Sequence, residues 1–161
     1  MTSLTAKPTS QTADNDDRFV LCELLASQSF DVALTTNPAL IALGTRLLAG
    51  ETGALTLGFQ AGQDSTQGNG VVSGGTLAAM LDNAIALSVL SALSPGQTCA
   101  TISLTVNMMR AAQVGTLSAH ARVDRLGRRV GFASAELFDA SGQCVASATS
   151  SLAVITSGAR E

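Results

Sequence analysis

Asp82 is the only formally charged residue between Asp64 and Arg110, and it stands inside the apolar run of residues 76–93, TLAAMLDNAIALSVLSAL. A carboxylate drawn into such surroundings loses hydration, at a cost of at least a few kcal/mol unless it is hydrogen-bonded, paired or neutralised. Two roles are compatible with that cost. Asp82 is either a nucleophile or general base held in a partly dry pocket, or a structural carboxylate satisfied, together with Asn83, across two central helices of a dimer. Eight positions upstream stands Gly74-Gly75, preceded by Ser73. If a helix starts there, its first-turn N–H groups lack intrahelical partners and the dipole favours negative charge. Glycine also lets a ligand approach the backbone closely. Such a helix start suits an oxygen that becomes an oxyanion; the plainer alternative is a tight strand-to-helix turn. Ser73 fits an N-cap or a substrate contact.

A second group of candidates is basic. Arg110, Arg122, Arg125, Arg128 and Arg129 are more than half of the nine Lys and Arg, in a chain of formal charge -3. Arginine matches phosphate geometry, which makes Arg110 at a strand end, and Arg125 and Arg128 at a turn, candidates for phosphate contacts. Ordinary solvated turn charges are the alternative. The single histidine, His120, cannot build a multi-histidine metal site, and it alternates with Leu117, Ala119 and Ala121 as a strand residue would. No metal is expected. Three cysteines in 161 residues are too few and too far apart for a disulfide framework or a zinc knuckle. Reduced thiols and a cytoplasmic setting are therefore expected.

Composition narrows the classes further. With 46% apolar and 13% charged residues, the chain reads as one compact domain. Aromatic content of 3%, with no Trp or Tyr, argues against the stacking platforms of single-strand nucleic-acid binders. Phe19, Phe30, Phe59, Phe132 and Phe138 are dispersed and read as core. Residues 71–93 are long enough to raise a membrane span, but an aspartate at the centre of one costs about 2.5 to 3.5 kcal/mol. Four amphipathic strands follow and could cover this helix on all sides, so a buried core helix is expected.

The elements that must position these residues are legible in outline. Residues 1–17, rich in Thr, Ser, Asp and Asn and without an apolar signal-peptide core, are expected to form a flexible N-terminal tail, and residues 18–157 a single domain. Apolar residues at 20, 21, 24 and 25 make one helical face over 18–29. Asn37-Pro38 starts a short helix. Residues 45–49 and 54–59 form a hairpin turned through 50–53, and a polar, glycine-rich loop over 62–70 leads to the long helix. That helix begins after 73–75 and stops at Ser94-Pro95-Gly96. Residues 101–109 alternate, with Ile102, Leu104, Val106 and Met108 on one face and Thr101, Ser103, Thr105 and Asn107 on the other. Turns at 111–115, 126–128 and 139–142 then link a meander of strands ending near residue 155. The class is α+β: a long central helix wrapped by a curved antiparallel sheet.

This layout resembles the hotdog fold. The segment 67–75, QGNGVVSGG, followed by Asp82, is similar to the active-site signature of acyl-CoA thioesterases of the phenylacetic-acid-degradation (PaaI-like) branch of the 4-hydroxybenzoyl-CoA thioesterase superfamily. The resemblance spans roughly residues 37–155. It implies a thioester hydrolase that releases free acid and coenzyme A. It also implies a site at a dimer interface, with the helix-start amide on one subunit and the carboxylate on the other. Carried onto this chain, Gln67 matches the upstream amide, Gly74 the N–H that polarises the carbonyl, Asp82 the nucleophile or general base, and Thr101 a hydroxyl that orients water. Ser73, Gly75, Asn83, Arg110, Arg125 and Arg128 are the implied substrate contacts. Coenzyme A is part of the substrate, so no separate cofactor is expected, nor a nucleic-acid or membrane partner; a homodimer is the minimum and a tetramer is compatible. Where the family commonly has His before the two glycines, this chain has Ser73. That departure keeps open a non-catalytic acyl-CoA-binding or scaffold module as the second reading. A hotdog dehydratase fits less well, because His120 lies too far along a late strand to pair with the carboxylate.

Overall fold

A computed structural model of the protein describes residues 14–156, so residues 1–13 of the expected tail and residue 157 of the expected domain lie outside it. In chain order the elements are α1 (Asp16–Ala26), β1 (Val32–Ala33), α2 (Pro38–Ala42), β2 (Arg46–Glu51), β3 (Ala54–Ala61), α3 (Gly74–Ala92), β4 (Gln97–Met108), β5 (Gly115–Leu126), β6 (Val130–Phe138) and β7 (Cys144–Thr156). The helices start where capping side chains satisfy free N–H groups. Asn15 accepts from the Arg18 N–H, Asn37 from the Leu40 N–H with Pro38 in the first turn, and Ser73 from the Thr76 N–H. The two-residue strand β1 escapes the sequence reading because two residues carry no periodicity.

The strands form one antiparallel sheet in the order β1-β2-β3-β5-β6-β7-β4, and α3 packs against one face of it. This is the hotdog arrangement. Alternation supplies the inner face: Leu117 and Ala119 of β5, Ala133, Ala135 and Leu137 of β6, and Ala146, Ala148 and Leu152 of β7 are all buried. They close on Met80, Leu81, Ala84 and Ile85 of α3, each 0% exposed. Although α3 is long and apolar enough to cross a membrane by length and composition, it is the core helix of this fold.

Four expectations change. The strand after α3 does not form a hairpin with the next one: β4 pairs with β7, while β5 pairs with β3 and β6. Alternation marks a strand and its buried face but not its partner. With β4 beyond β7, the sheet reaches around α3 from the far side, and only β5, β6 and β7 form a meander. The register of β4 also shifts between Thr101 and Ser103. One extra residue reverses the parity of a strand. Ser103, Thr105 and Asn107 face outward, but Thr101, opposite the buried Leu152, faces α3, and Ile102 is 60% exposed instead of lying in the core.

The third change concerns the tail. Asp16 and Asp17 open α1, and Asp14 accepts from the Arg18 Nε at 2.8 Å and the Gly96 N–H at 3.1 Å. Arg18, buried despite its charge, donates to the Leu93 carbonyl at 3.0 Å, so residues 14–18 clamp the end of α3. The Arg18 guanidinium holds the Asp14 carboxyl down to about 2, against an ordinary 3.8. Last, Phe19 and Phe132, read as core, are 55% and 48% exposed. Phe132 falls on the outer parity of β6, between the buried Gly131 and Ala133.

Candidate active site

The segment entering α3 is held from both sides. The Val72 N–H donates to the Ala112 carbonyl and the Ser73 N–H to the Ser65 carbonyl, each at 2.8 Å. Ser73 then caps the helix, accepting from the Thr76 N–H at 3.3 Å and sharing a 2.9 Å hydrogen bond with the Thr76 hydroxyl. Of the two roles open to Ser73, the cap is the one the geometry shows. The N–H groups of Gly74 and Gly75 have no acceptor among the described residues, and both residues are exposed. They form the polarised helix start that the spacing implies.

A cleft of about 420 Å³ opens at this helix start, lined by Gln67, Val72, Gly74, Leu77, Met108 and Arg110 among others. It brings together three of the expected site residues: Gln67, Gly74 and Arg110. The Gln67 loop folds on itself, with the Gln67 N–H donating to the Val71 carbonyl at 2.9 Å and Gln67 Oε1 accepting from the Asn69 N–H at 3.2 Å. The side-chain NH₂ of Gln67 is left for another acceptor. Arg110 donates to the Cys144 carbonyl at 2.9 Å.

Asp82 lies elsewhere on the same helix, eight residues or about 12 Å along α3 from Gly74. It is half-buried rather than sealed. The sheet does not wrap α3 completely, and a strip through Gly75, Ala79, Asp82, Asn83 and Ala86 stays partly open beside β4. There Asp82 Oδ1 accepts from the Thr101 hydroxyl at 2.8 Å. The β4 register shift places that hydroxyl on the α3 side, so Thr101 and Asp82 meet although plain alternation puts Thr101 on the opposite face. Asn83 does not pair with Asp82; its amide donates back to the Ala79 carbonyl at 2.8 Å. Cys99, two residues before Thr101 on the same face, points its Sγ at the Ala86 carbonyl, 3.7 Å away. Burial, with the negative charge of Asp82 beside it, pushes the Cys99 thiol up to about 11. It is therefore protonated at neutral pH and is no nucleophile.

Arg125 and Arg128 are exposed at the tip between β5 and β6 and do not line the Gly74 cleft. His120 is on the outer sheet face, edge-on to Phe138 with ring centroids 5.1 Å apart. A depression of about 430 Å³ on that outer face, lined in part by His120, Arg122 and Glu136, is separated from Gly74 and Asp82 by the sheet itself. Val72, Leu77 and Met108 are among the cleft residues that sequence reasoning missed. Only the nearness of Met108 to Arg110 at the end of an alternating strand could have signalled one of them.

The chain thus carries a helix start with free N–H groups and, farther along the same helix, a half-buried carboxylate, both on a hotdog sheet. The chain belongs to the thioesterase superfamily, whose family model matches residues 69–146. Its function is accordingly of thioesterase type. A phenylacetic acid degradation-related protein of Ralstonia eutropha is 35% identical, over 73% of this chain and 90% of that one, with a TM-score of 0.69. The PaaI protein of the Escherichia coli phenylacetic acid degradation operon is 19% identical, over 88% of this chain and 95% of that one, with a TM-score of 0.72. A Streptococcus mutans protein solved bound to acetyl-CoA is 21% identical, over 70% of this chain and 90% of that one, with a TM-score of 0.65. No curated protein matches the chain.

Proposed function

We propose that the protein hydrolyses an acyl- or aryl-CoA thioester to the free acid and coenzyme A, at a site completed by two copies of the chain. The observation that carries this reading is the separation of the two half-sites along α3. The Gly74 N–H groups and the Asp82 carboxylate lie too far apart on one helix to act on one carbonyl carbon, yet each is open to solvent. In a two-fold dimer packed through the open strip of α3, the Gly74 of one copy would meet the Asp82 of the other. β4 supports that packing as an unpaired sheet edge beside the strip, with Ile102 60% exposed. Exposed edges of this length invite pairing. The acetyl-CoA complex of the Streptococcus mutans relative supports a coenzyme A thioester as the substrate class.

In this mechanism the thioester oxygen accepts from the Gly74 N–H, with the free NH₂ of Gln67 beside it. Thr101 holds one Asp82 oxygen, leaving the other to take a proton from the attacking water, or to attack the carbonyl carbon and form an anhydride that water then cleaves to the free acid. The carbon–sulfur bond breaks and the sulfur leaves as the thiolate of coenzyme A. Positioned proton transfer contributes about 10²- to 10⁴-fold, and the helix-start donors supply electrostatic stabilisation on top of it. Arg125 and Arg128, at the hairpin tip, remain candidate phosphate contacts, whereas Arg110 lines the Gly74 cleft itself.

The test is a panel of short-chain, medium-chain and aryl-CoA thioesters with thiol release followed by a colorimetric reagent. Turnover in the wild type that is lost in Asp82→Ala supports the reading. Equal rates in both proteins for every substrate would overturn it. Ser73, spent on the helix cap instead of offering an imidazole, favours a second reading: a module that binds acyl-CoA without turnover. Calorimetric binding in the absence of thiol release would select it.

A further inference from the structure

Met108 lines the same cleft as Gly74 and lies directly beside it. A Cβ added to Gly74 would meet the Met108 methyl carbon at 3.4 Å, and Met108 is nonetheless 47% exposed. Its backbone is fixed. Opposite it in the ladder is the buried Ala146, and the next two residues both donate to the Val145 carbonyl, Met109 at 2.9 Å and Arg110 at 3.1 Å. Only the side chain is free to move, and an unbranched thioether with three rotatable bonds adapts to differently shaped neighbours.

We infer that Met108 is the specificity-determining residue of the cleft: its side chain is a movable wall that sets how large an acyl group fits beside the Gly74 N–H. This rests on the thioesterase reading for what occupies the cleft, and adds which residue limits it. Besides the polar Gln67 and Arg110, the cleft is lined by the apolar Val72 and Leu77. An alkyl or aryl acyl group can be buried there without losing hydrogen bonds, whereas the pantetheine arm carries two amides that would need partners. The acyl group therefore takes the cleft, and the carrier arm leaves toward solvent. Leu77 cannot serve as the movable element, because it is 3% exposed and locked in the core.

The experiment measures kcat/KM for acetyl-, butyryl-, phenylacetyl- and naphthoyl-CoA, and in parallel the calorimetric affinity for a matching series of non-hydrolysable S-alkyl and S-arylalkyl coenzyme A thioethers. Met108→Ala is expected to raise the preference for the bulkiest over the smallest member by about tenfold or more in both series, the range of one or a few methylene groups in an apolar pocket. Met108→Phe shifts the preference the other way, and Met108→Leu, of similar volume, stays near the wild type. A merely structural role would lower all members together and leave the ratio unmoved, which overturns the inference. So does a change in the preference for full coenzyme A over short N-acetylcysteamine carriers with no change in acyl size preference, because Met108 would then face the carrier arm. If thioether affinities follow Met108 as expected but no thioester is cleaved, the inference stands and the hydrolase reading fails. If thioesters are cleaved with an unchanged size profile, the reverse holds. Absence of any binding or cleavage overturns both.

Discussion

The two halves of α3 share an apolar composition and meet different fates. From Ala84 to Ser91 every residue but Ala86 is buried, and the end of the helix is clamped by Arg18 on the Leu93 carbonyl and by the Ser91 hydroxyl under the Gly53 N–H. From Gly74 to Asn83, by contrast, two glycines are exposed, and Ala78, Ala79, Asp82 and Asn83 are half-buried. The sheet covers the first half because β3, β5, β6 and β7 bring inward-facing leucines and alanines against it. It leaves one strip of the second half uncovered because β4 is the edge of the sheet and no described strand lies beyond it. One half therefore stabilises the fold, and the other presents backbone N–H groups and a carboxylate.

That contrast can be broken by substituting matched positions. Asp82→Ala should lower kcat by about 10²- to 10⁴-fold, as loss of a positioned acid–base group does. Because Asp82 sits on the open strip, its thermal midpoint should stay close to that of the wild type; a collapse in stability would make Asp82 a core residue after all. Ile85→Ala, one turn away on the covered side and 0% exposed, should do the opposite. It should lose about 2 to 5 kcal/mol in denaturant unfolding, with the kcat of the remaining folded protein little changed.

Smaller effects sharpen the same comparison at the helix ends. Ser73→Ala removes the N-cap and should cost about 1 kcal/mol of stability. Ser73→Gly should cost less, which separates a cap from a substrate-contacting hydroxyl, and chemical unfolding reads both. At the other end, the Asp14 carboxyl is held at about 2 by Arg18. Its folded-state value lies below the unfolded one, so the clamp's contribution is complete above about 4 and is lost as the pH falls toward 2. Acid titration followed by circular dichroism should show a shallower stability loss across that window for Asp14→Asn than for the wild type.

Local features were legible where a short stretch of chain decides them. Ser73 before two glycines marks a cap and a bare helix start, Asn37-Pro38 marks another, and alternation identified the inner face of β5. Gln67, Gly74 and Arg110 were singled out and do share one cleft, and Asp82 and Thr101 do touch. The routes to those meetings were less legible. Thr101 reaches Asp82 only because one residue of β4 is extra in the ladder, a shift that leaves no mark on an alternating pattern. Arg125 and Arg128 looked equivalent to Arg110 as turn-borne cations, yet only Arg110 lines the Gly74 cleft. Polar residues 14–17 read as tail because a clamp between Asp14 and Arg18 against Gly96 and Leu93 joins positions some eighty residues apart.

By itself, the sequence determined the α+β class, the start and stop of the central helix, and the presence of one carboxylate in an otherwise apolar run. These follow from short-range physics: hydrogen bonds to capping side chains, the helical and strand periodicities, and the solvation of a charge. Only the tertiary structure decided that β4 crosses to the far edge and that the sheet stops short of one strip of α3. It also decided that Met108 stands beside Gly74. Each of these depends on which distant surface a strand finds to bury against, and that choice is made by the whole core at once.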